Sequence, residues 1–112
     1  MSARAVNGER LYAALAALGE IGAYTDEHSG LVGVNRLALS TADGEGRRHV
    51  VAAMRAAGLA VTVDQIGNVY ARRRGRDDGA RPVMLGSHLD ATGRPRRDRR
   101  ALAPCTRYFW HD

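Results

Sequence analysis

No lysine occurs among the 112 residues, and cysteine, tryptophan and phenylalanine occur once each. A lone cysteine cannot close an intrachain disulfide, which excludes a disulfide scaffold and fits a reducing, cytoplasmic setting. It also excludes a structural zinc site of the multi-cysteine kind. No apolar run approaches the roughly 20 residues that span a bilayer. Residues 1–10 hold no apolar stretch of the kind that opens a secretory signal. The expectation is a soluble cytoplasmic protein without a membrane partner, in length one small domain or a piece of a larger one.

What is present is basic, and unevenly so. All 17 basic residues are arginine, giving a formal net charge of +5. Residues 1–90 carry 11 Arg against 10 acidic residues, whereas residues 91–112 carry 6 Arg against 2 Asp. The excess therefore sits in the last fifth of the chain, together with Cys105, Phe109 and Trp110. Exclusive use of arginine beside abundant alanine and glycine fits GC-rich coding better than a selected binding surface. The composition changes at about residue 91, which divides the chain into residues 1–92 and an Arg-rich segment over residues 93–112, expected to be an anomalous, disordered tail.

The spacing of Leu11, Leu15, Leu18 and Ile21 predicts a helix over residues 8–22, capped by Asn7 and with Glu9 in its first turn. Residues 24–33 read as a polar, glycine-containing loop. Residues 34–40 read as an irregular connection that turns Leu37 and Leu39 into the core. Ser40 and Asp43 match a capping box, with Asp at the position usually held by Glu, and a second helix is expected to about Ala57. Val50, Val51, Met54 and Ala57 share its apolar face, and Gly58 sits where a helix commonly stops.

The period then changes from helical to alternating. Residues 59–63 and 69–73 predict a β-hairpin around a tight turn at residues 65–68. Residues 82–86, Pro-Val-Met-Leu-Gly, form a short continuous apolar run, the pattern of a strand buried on both faces. The expected order is two helices, a hairpin and one buried strand, an α/β arrangement.

That last run leads into His88, Leu89 and Asp90. Ligands in open α/β sheets bind just beyond the carboxyl ends of the strands. A neutral imidazole is a good zinc ligand, and an Asp two residues on can fix its tautomer and orientation. By itself the triplet is equally well read as a hydrogen-bonded histidine at a strand end.

Wider context gives the triplet meaning. The order of segments resembles the zinc-dependent amidases of the hydantoinase/carbamoylase family, which includes N-carbamoyl-L-amino-acid hydrolases and allantoate amidohydrolases. The resemblance runs through residues 7–11 (Asn-Gly-Glu-Arg-Leu), 15–22 and 33–40 (Gly-Val-Asn-Arg-Leu-Ala-Leu-Ser). It continues through residues 54–59 and 63–72 and closes on residues 82–90, covering about residues 7–92. It implies the N-terminal part of a three-layer αβα catalytic domain built around two metal ions. His88 would be the first metal ligand, and Asp90 the catalytic Asp that orients and tunes the site. Asp64, Gly67 and Asn68 would form a supporting hairpin turn.

The implied cofactor is zinc or another divalent cation (Mn, Co or Ni), and the implied substrates are N-carbamoyl amino acids and related ureido or linear amide compounds. In this family a metal-activated water attacks the carbonyl while a Glu serves as general base. The family is homodimeric through a domain that lies beyond the matched segment.

Departure from the pattern follows at once. The family continues with a Gly-Gly-x-x-Asp-Gly stretch whose Asp bridges both metals. Here residues 91–100 read Ala-Thr-Gly-Arg-Pro-Arg-Arg-Asp-Arg-Arg, and Asp98 has none of the glycine neighbours. Glycine codons read one base out of frame become Arg or Ala codons, so the tail is expected to be frameshifted or otherwise non-family sequence. A zinc site needs at least three protein ligands, so the chain is expected to be inactive alone.

Two other readings stand beside this one. A small nucleic-acid-binding module could use residues 72–76 and the arginines of residues 94–100 on phosphates, with Tyr108, Phe109 and Trp110 stacking on bases. Near-neutrality of the first 90 residues argues against it. A non-catalytic remnant would retain the amidase-like shell alone and expose strand edges prone to aggregation.

Overall fold

The computed structural model describes residues 5–77 and 79–92. Seven elements follow one another: α1 (Gly8–Glu20), β1 (Ala23–Thr25), β2 (Val32–Arg36), α2 (Thr41–Ala56), β3 (Ala60–Val63), β4 (Val69–Arg72) and β5 (Ala91–Thr92). The result is a small α/β fold.

Both helices begin where their caps require. The Asn7 side chain accepts from the Arg10 amide at 2.9 Å, supplying a partner to one of the free N–H groups of the first turn. Ser40 Oγ likewise accepts from the Asp43 amide at 3.1 Å. The reciprocal arm is shifted by one residue, because Asp43 accepts from the Leu39 amide at 3.0 Å instead of from that of Ser40. Past α2, Gly58 takes up a φ of +75°, the left-handed conformation that ends helices.

The region read as a loop contains a strand pair. β1 and β2 run antiparallel with Ala23 opposite Val34, Tyr24 opposite Gly33 and Thr25 opposite Val32. Gly22 starts this hairpin with a φ of +82°, and a Cβ there would stand 2.6 Å from the Asn35 carbonyl oxygen. Only glycine lets α1 turn so closely onto β2. β5 adds to the far edge of β2, antiparallel, with Arg36 opposite Ala91. β3 and β4 form the expected hairpin in the register Val63 to Val69 and Ala60 to Arg72.

Two expectations fail. Leu37 and Leu39 do not enter the core; Leu39 is 99% exposed, since β2 ends at Arg36 and the chain turns outward before α2. Residues 82–86 form no strand, and Val83, Met84 and Leu85 stand exposed. A strand buried on both faces needs neighbours on both edges and both faces, and no element among the described residues supplies them. The buried apolar side chains among the described residues are Leu18 and Val34, where α1, β2 and α2 meet. The tail expected to be disordered, residues 93–112, lies outside the described residues.

Candidate active-site segment

Residues 88–90 approach β5 and are drawn toward the α1–β2 junction by one side chain. Arg36 is 2% exposed. Its Nε donates to the Leu89 carbonyl at 2.9 Å, and its Nη1 donates to the carbonyls of Leu18 at 2.9 Å and Ile21 at 2.7 Å. Burial pulls the Arg36 pKa below its ordinary value, and the nearby charges of Asp43 and Asp90 push it back up. A guanidinium stays protonated under such opposing effects. It can be buried because carbonyls and carboxylates surround it.

Within the segment, His88 Nδ1 lies 2.9 Å from Asp90 Oδ1 and 3.0 Å from the Asp90 backbone oxygen. Both side chains are about half exposed. An ionised carboxylate can only accept, so the contact favours the tautomer with hydrogen on Nδ1. Nε2 then keeps its lone pair and is free to ligate a metal. The structure thus brings together the two residues singled out in the sequence.

The fit to a metal is incomplete. Among the described residues no three His, Cys, Asp or Glu side chains converge. One imidazole, with its Asp oxygen occupied on Nδ1, falls short of the three protein donors of an open zinc site. These residues do not by themselves hold a metal ion.

Asp64, Gly67 and Asn68 build the β3–β4 turn. One Asp64 oxygen accepts from the Ile66 and Asn68 amides at 3.1 and 2.8 Å. The other accepts from the Asn68 side-chain amide at 2.8 Å and the Tyr70 hydroxyl at 3.3 Å. The Asn68 side chain above all holds the Asp64 carboxyl below the usual range; desolvation opposes it, and the Asn68 and Ile66 amides and the Tyr70 hydroxyl lower it further. Gly67 supplies a φ of +90°, and its carbonyl accepts from the Arg47 guanidinium of α2. Arg72 and Arg74 line a shallow open depression with Gly58 and Ala60, separate from residues 88–90. Tyr108, Phe109 and Trp110, expected to stack on bases in a nucleic-acid-binding reading, lie outside the described residues.

Arg36 is the residue that sequence reasoning missed. Arginine reads as solvent-facing unless its strand is recognised. Within β2, Val34 and Arg36 share one face, and both are buried. Recognising β2 would have placed the arginine inward.

No protein-family model matches the chain. Curated proteins do. Over 88 residues it is 42% identical to the N-carbamoyl-L-amino-acid amidohydrolase of Rhizobium meliloti, covering 78% of this chain and 20% of that protein. Over 86 residues it is 43% identical to the enzyme of the same name from Pseudomonas sp. (strain NS671), covering 77% and 20%. A ureidoglycolate hydrolase of Oryza sativa subsp. japonica is 33% identical over 72 residues, which are 64% of this chain and 14% of that protein. The chain therefore spans about one fifth of the length of the first two relatives.

Solved structures agree. A hydantoinase/carbamoylase family amidase from Burkholderia ambifaria aligns with TM-score 0.66 and 45% identity over 76% of this chain and 20% of its own. An amidase of the same family from Burkholderia vietnamiensis aligns with TM-score 0.69 and 44% identity over 77% and 20%.

Proposed function

This chain is homologous, over about three quarters of its length, to N-carbamoyl-L-amino-acid amidohydrolases and hydantoinase/carbamoylase family amidases, and from that premise we propose that it is the N-terminal segment of such a catalytic domain. In the whole domain, a three-layer αβα hydrolase, the reaction is hydrolysis of a linear amide or ureido C–N bond. Its substrates are N-carbamoyl amino acids or close analogues, and its setting is cytoplasmic. His88 contributes one ligand to a divalent cation, zinc or one of Mn, Co and Ni, and Asp90 orients that imidazole. The remaining ligands and the general base come from sequence beyond the matched segment. On its own, residues 1–92 followed by the present tail hydrolyse no substrate.

The observation that carries this reading is the 2.9 Å contact between His88 Nδ1 and Asp90 Oδ1. It favours the tautomer that leaves Nε2 free to ligate, at the end of the homologous segment. The change of composition near residue 91 supports a slipped frame as the origin of the tail.

The test compares the purified chain with a version in which the downstream frame is restored. Metal analysis and hydrolysis of an N-carbamoyl amino acid are expected to be negative for the first and positive for the second. His88→Ala in the restored version should abolish both. Full metal content and activity in that variant would overturn the assignment, as would the absence of a Gly-Gly-x-x-Asp-Gly stretch from every neighbouring frame.

A further inference from the structure

We propose that Arg36 is the positioning residue of the His88–Asp90 pair: a buried guanidinium that fixes the backbone between them against the end of α1. The proposal rests on the reading of that pair as the amidase site segment. Three of the guanidinium's hydrogen bonds go to main-chain carbonyls, and their distribution carries the argument. Two reach Leu18 and Ile21 at the C-terminal end of α1, where a cation is favoured, the Leu18 carbonyl also accepting from the Ile21 amide at 3.3 Å. The third reaches Leu89, the residue between His88 and Asp90. A single planar fork thus joins a rigid helix end to the short segment that presents the imidazole.

The surroundings hold the fork in place. Beneath it lies Gly46, whose missing side chain leaves the space; a Cβ there would stand 2.8 Å from Arg36 Cδ. Asp43 and Asp90 supply countercharge from α2 and from the segment itself. Backbone pairing of Arg36 with Ala91 continues the same connection through β5. Leu89 and Asp90 are half-buried whereas residues 82–88 are exposed, so burial in the segment begins at the residues Arg36 touches. Lysine could not replace it, because an ammonium on a flexible stem cannot reach all three carbonyls in fixed geometry.

The test uses the full chain and follows the histidine rings by proton–nitrogen correlation NMR, with amide hydrogen exchange alongside. In the parent, the neutral His88 ring should show hydrogen on Nδ1 and a free lone pair on Nε2. Arg36→Lys should collapse this pattern to a two-tautomer average. It should also speed exchange of the β5 amides by about tenfold or more, the size expected for a lost charge-assisted hydrogen bond.

Gly46→Ala keeps the arginine and favours the helix while displacing the Arg36 side chain, so it should reproduce the effect even if Arg36→Lys fails to fold. Val61→Ala, in the β3–β4 hairpin, should lower stability and leave the His88 pattern intact. Retention of the pattern in Gly46→Ala, or its equal loss in Val61→Ala, would overturn the proposal. His88→Ala in the restored version tests the amidase reading separately, and failure there leaves the ring spectra of this chain unaffected.

Discussion

Asp43 accepts the Leu39 amide at 3.0 Å and so holds a leucine in left-handed backbone conformation, at a φ of +67°. Leu39 is the one non-glycine residue with positive φ among the described residues, and its side chain is 99% exposed. Such a conformation costs an L-residue about 1 kcal/mol or more. The cap that starts α2 is therefore coupled to strain in the residue before it. Leu39→Gly should raise stability by about 1 kcal/mol, since glycine adopts this conformation without strain. Asp43→Ala should lower it by about 1–2 kcal/mol through loss of the cap contact and of countercharge to Arg36. Thermal unfolding followed by circular dichroism checks both, and a destabilised Leu39→Gly would show that the leucine side chain packs after all.

The Asp64 turn gives a pH dependence of definite sign. Its carboxyl is held below the ordinary range near 4 by the Asn68 side chain, the backbone amides and the Tyr70 hydroxyl. A group whose pKa is depressed by folding stabilises the fold above its unfolded pKa. That contribution is lost as pH falls through the folded value. The β3–β4 hairpin should therefore loosen below about pH 4, seen as lower protection of the Asn68 and Val69 amides relative to their intrinsic exchange rates. Asp64→Asn should be weaker at neutral pH and lack this acid step. An acid step that persists in Asp64→Asn would assign it to another carboxylate.

What could be read from the sequence was what neighbouring residues decide among themselves. Asn7 and Ser40 cap the helices that follow them, and the alternation of Leu59, Val61 and Val63 produces the hairpin. These are contests settled within a few residues. β1 and β2 escaped because Asp26, Ser29 and Gly30, which close their turn, outnumber the short apolar positions on either side. The strand expected over residues 82–86 failed for the opposite reason. Apolarity specifies that a segment should be covered, but coverage comes from other elements, and those present do not provide it. The His88–Asp90 pair was legible because residues two apart in sequence are near enough to meet. The burial of Arg36 was not, since it depends on carbonyls 15 to 53 positions away.

Asp90→Asn separates orientation from ligation, a distinction that follows from the proposed function. The amide can still face His88 Nδ1, but it can offer either an oxygen or an N–H group, so the tautomer is no longer fixed. In the frame-restored version, metal affinity should fall about 10–100-fold, the usual cost of removing a carboxylate behind a ligating histidine. Direct loss of a ligand, as in His88→Ala, should be larger. Equal effects of the two substitutions in a metal titration would make Asp90 a ligand itself and give it a different role.

Val83 and Leu85 offer the sharpest test of the proposal that the chain is a segment of a larger domain. They are 86% and 73% exposed, and in extended chain they share one face. An apolar stretch without ladder partners is a template for pairing between chains. Light scattering on the present chain should show association that grows with concentration. Val83→Lys with Leu85→Lys should suppress it and change the melting transition by no more than about 0.5 kcal/mol, as is usual for exposed sites. In the frame-restored version the same pair should be severely destabilising, because burying two unpaired ammonium groups is far costlier than leaving them in water. If the double substitution instead unfolds the present chain, residues 83–85 are already covered in it. If it is harmless in the restored version, the sheet that should enclose this run does not form.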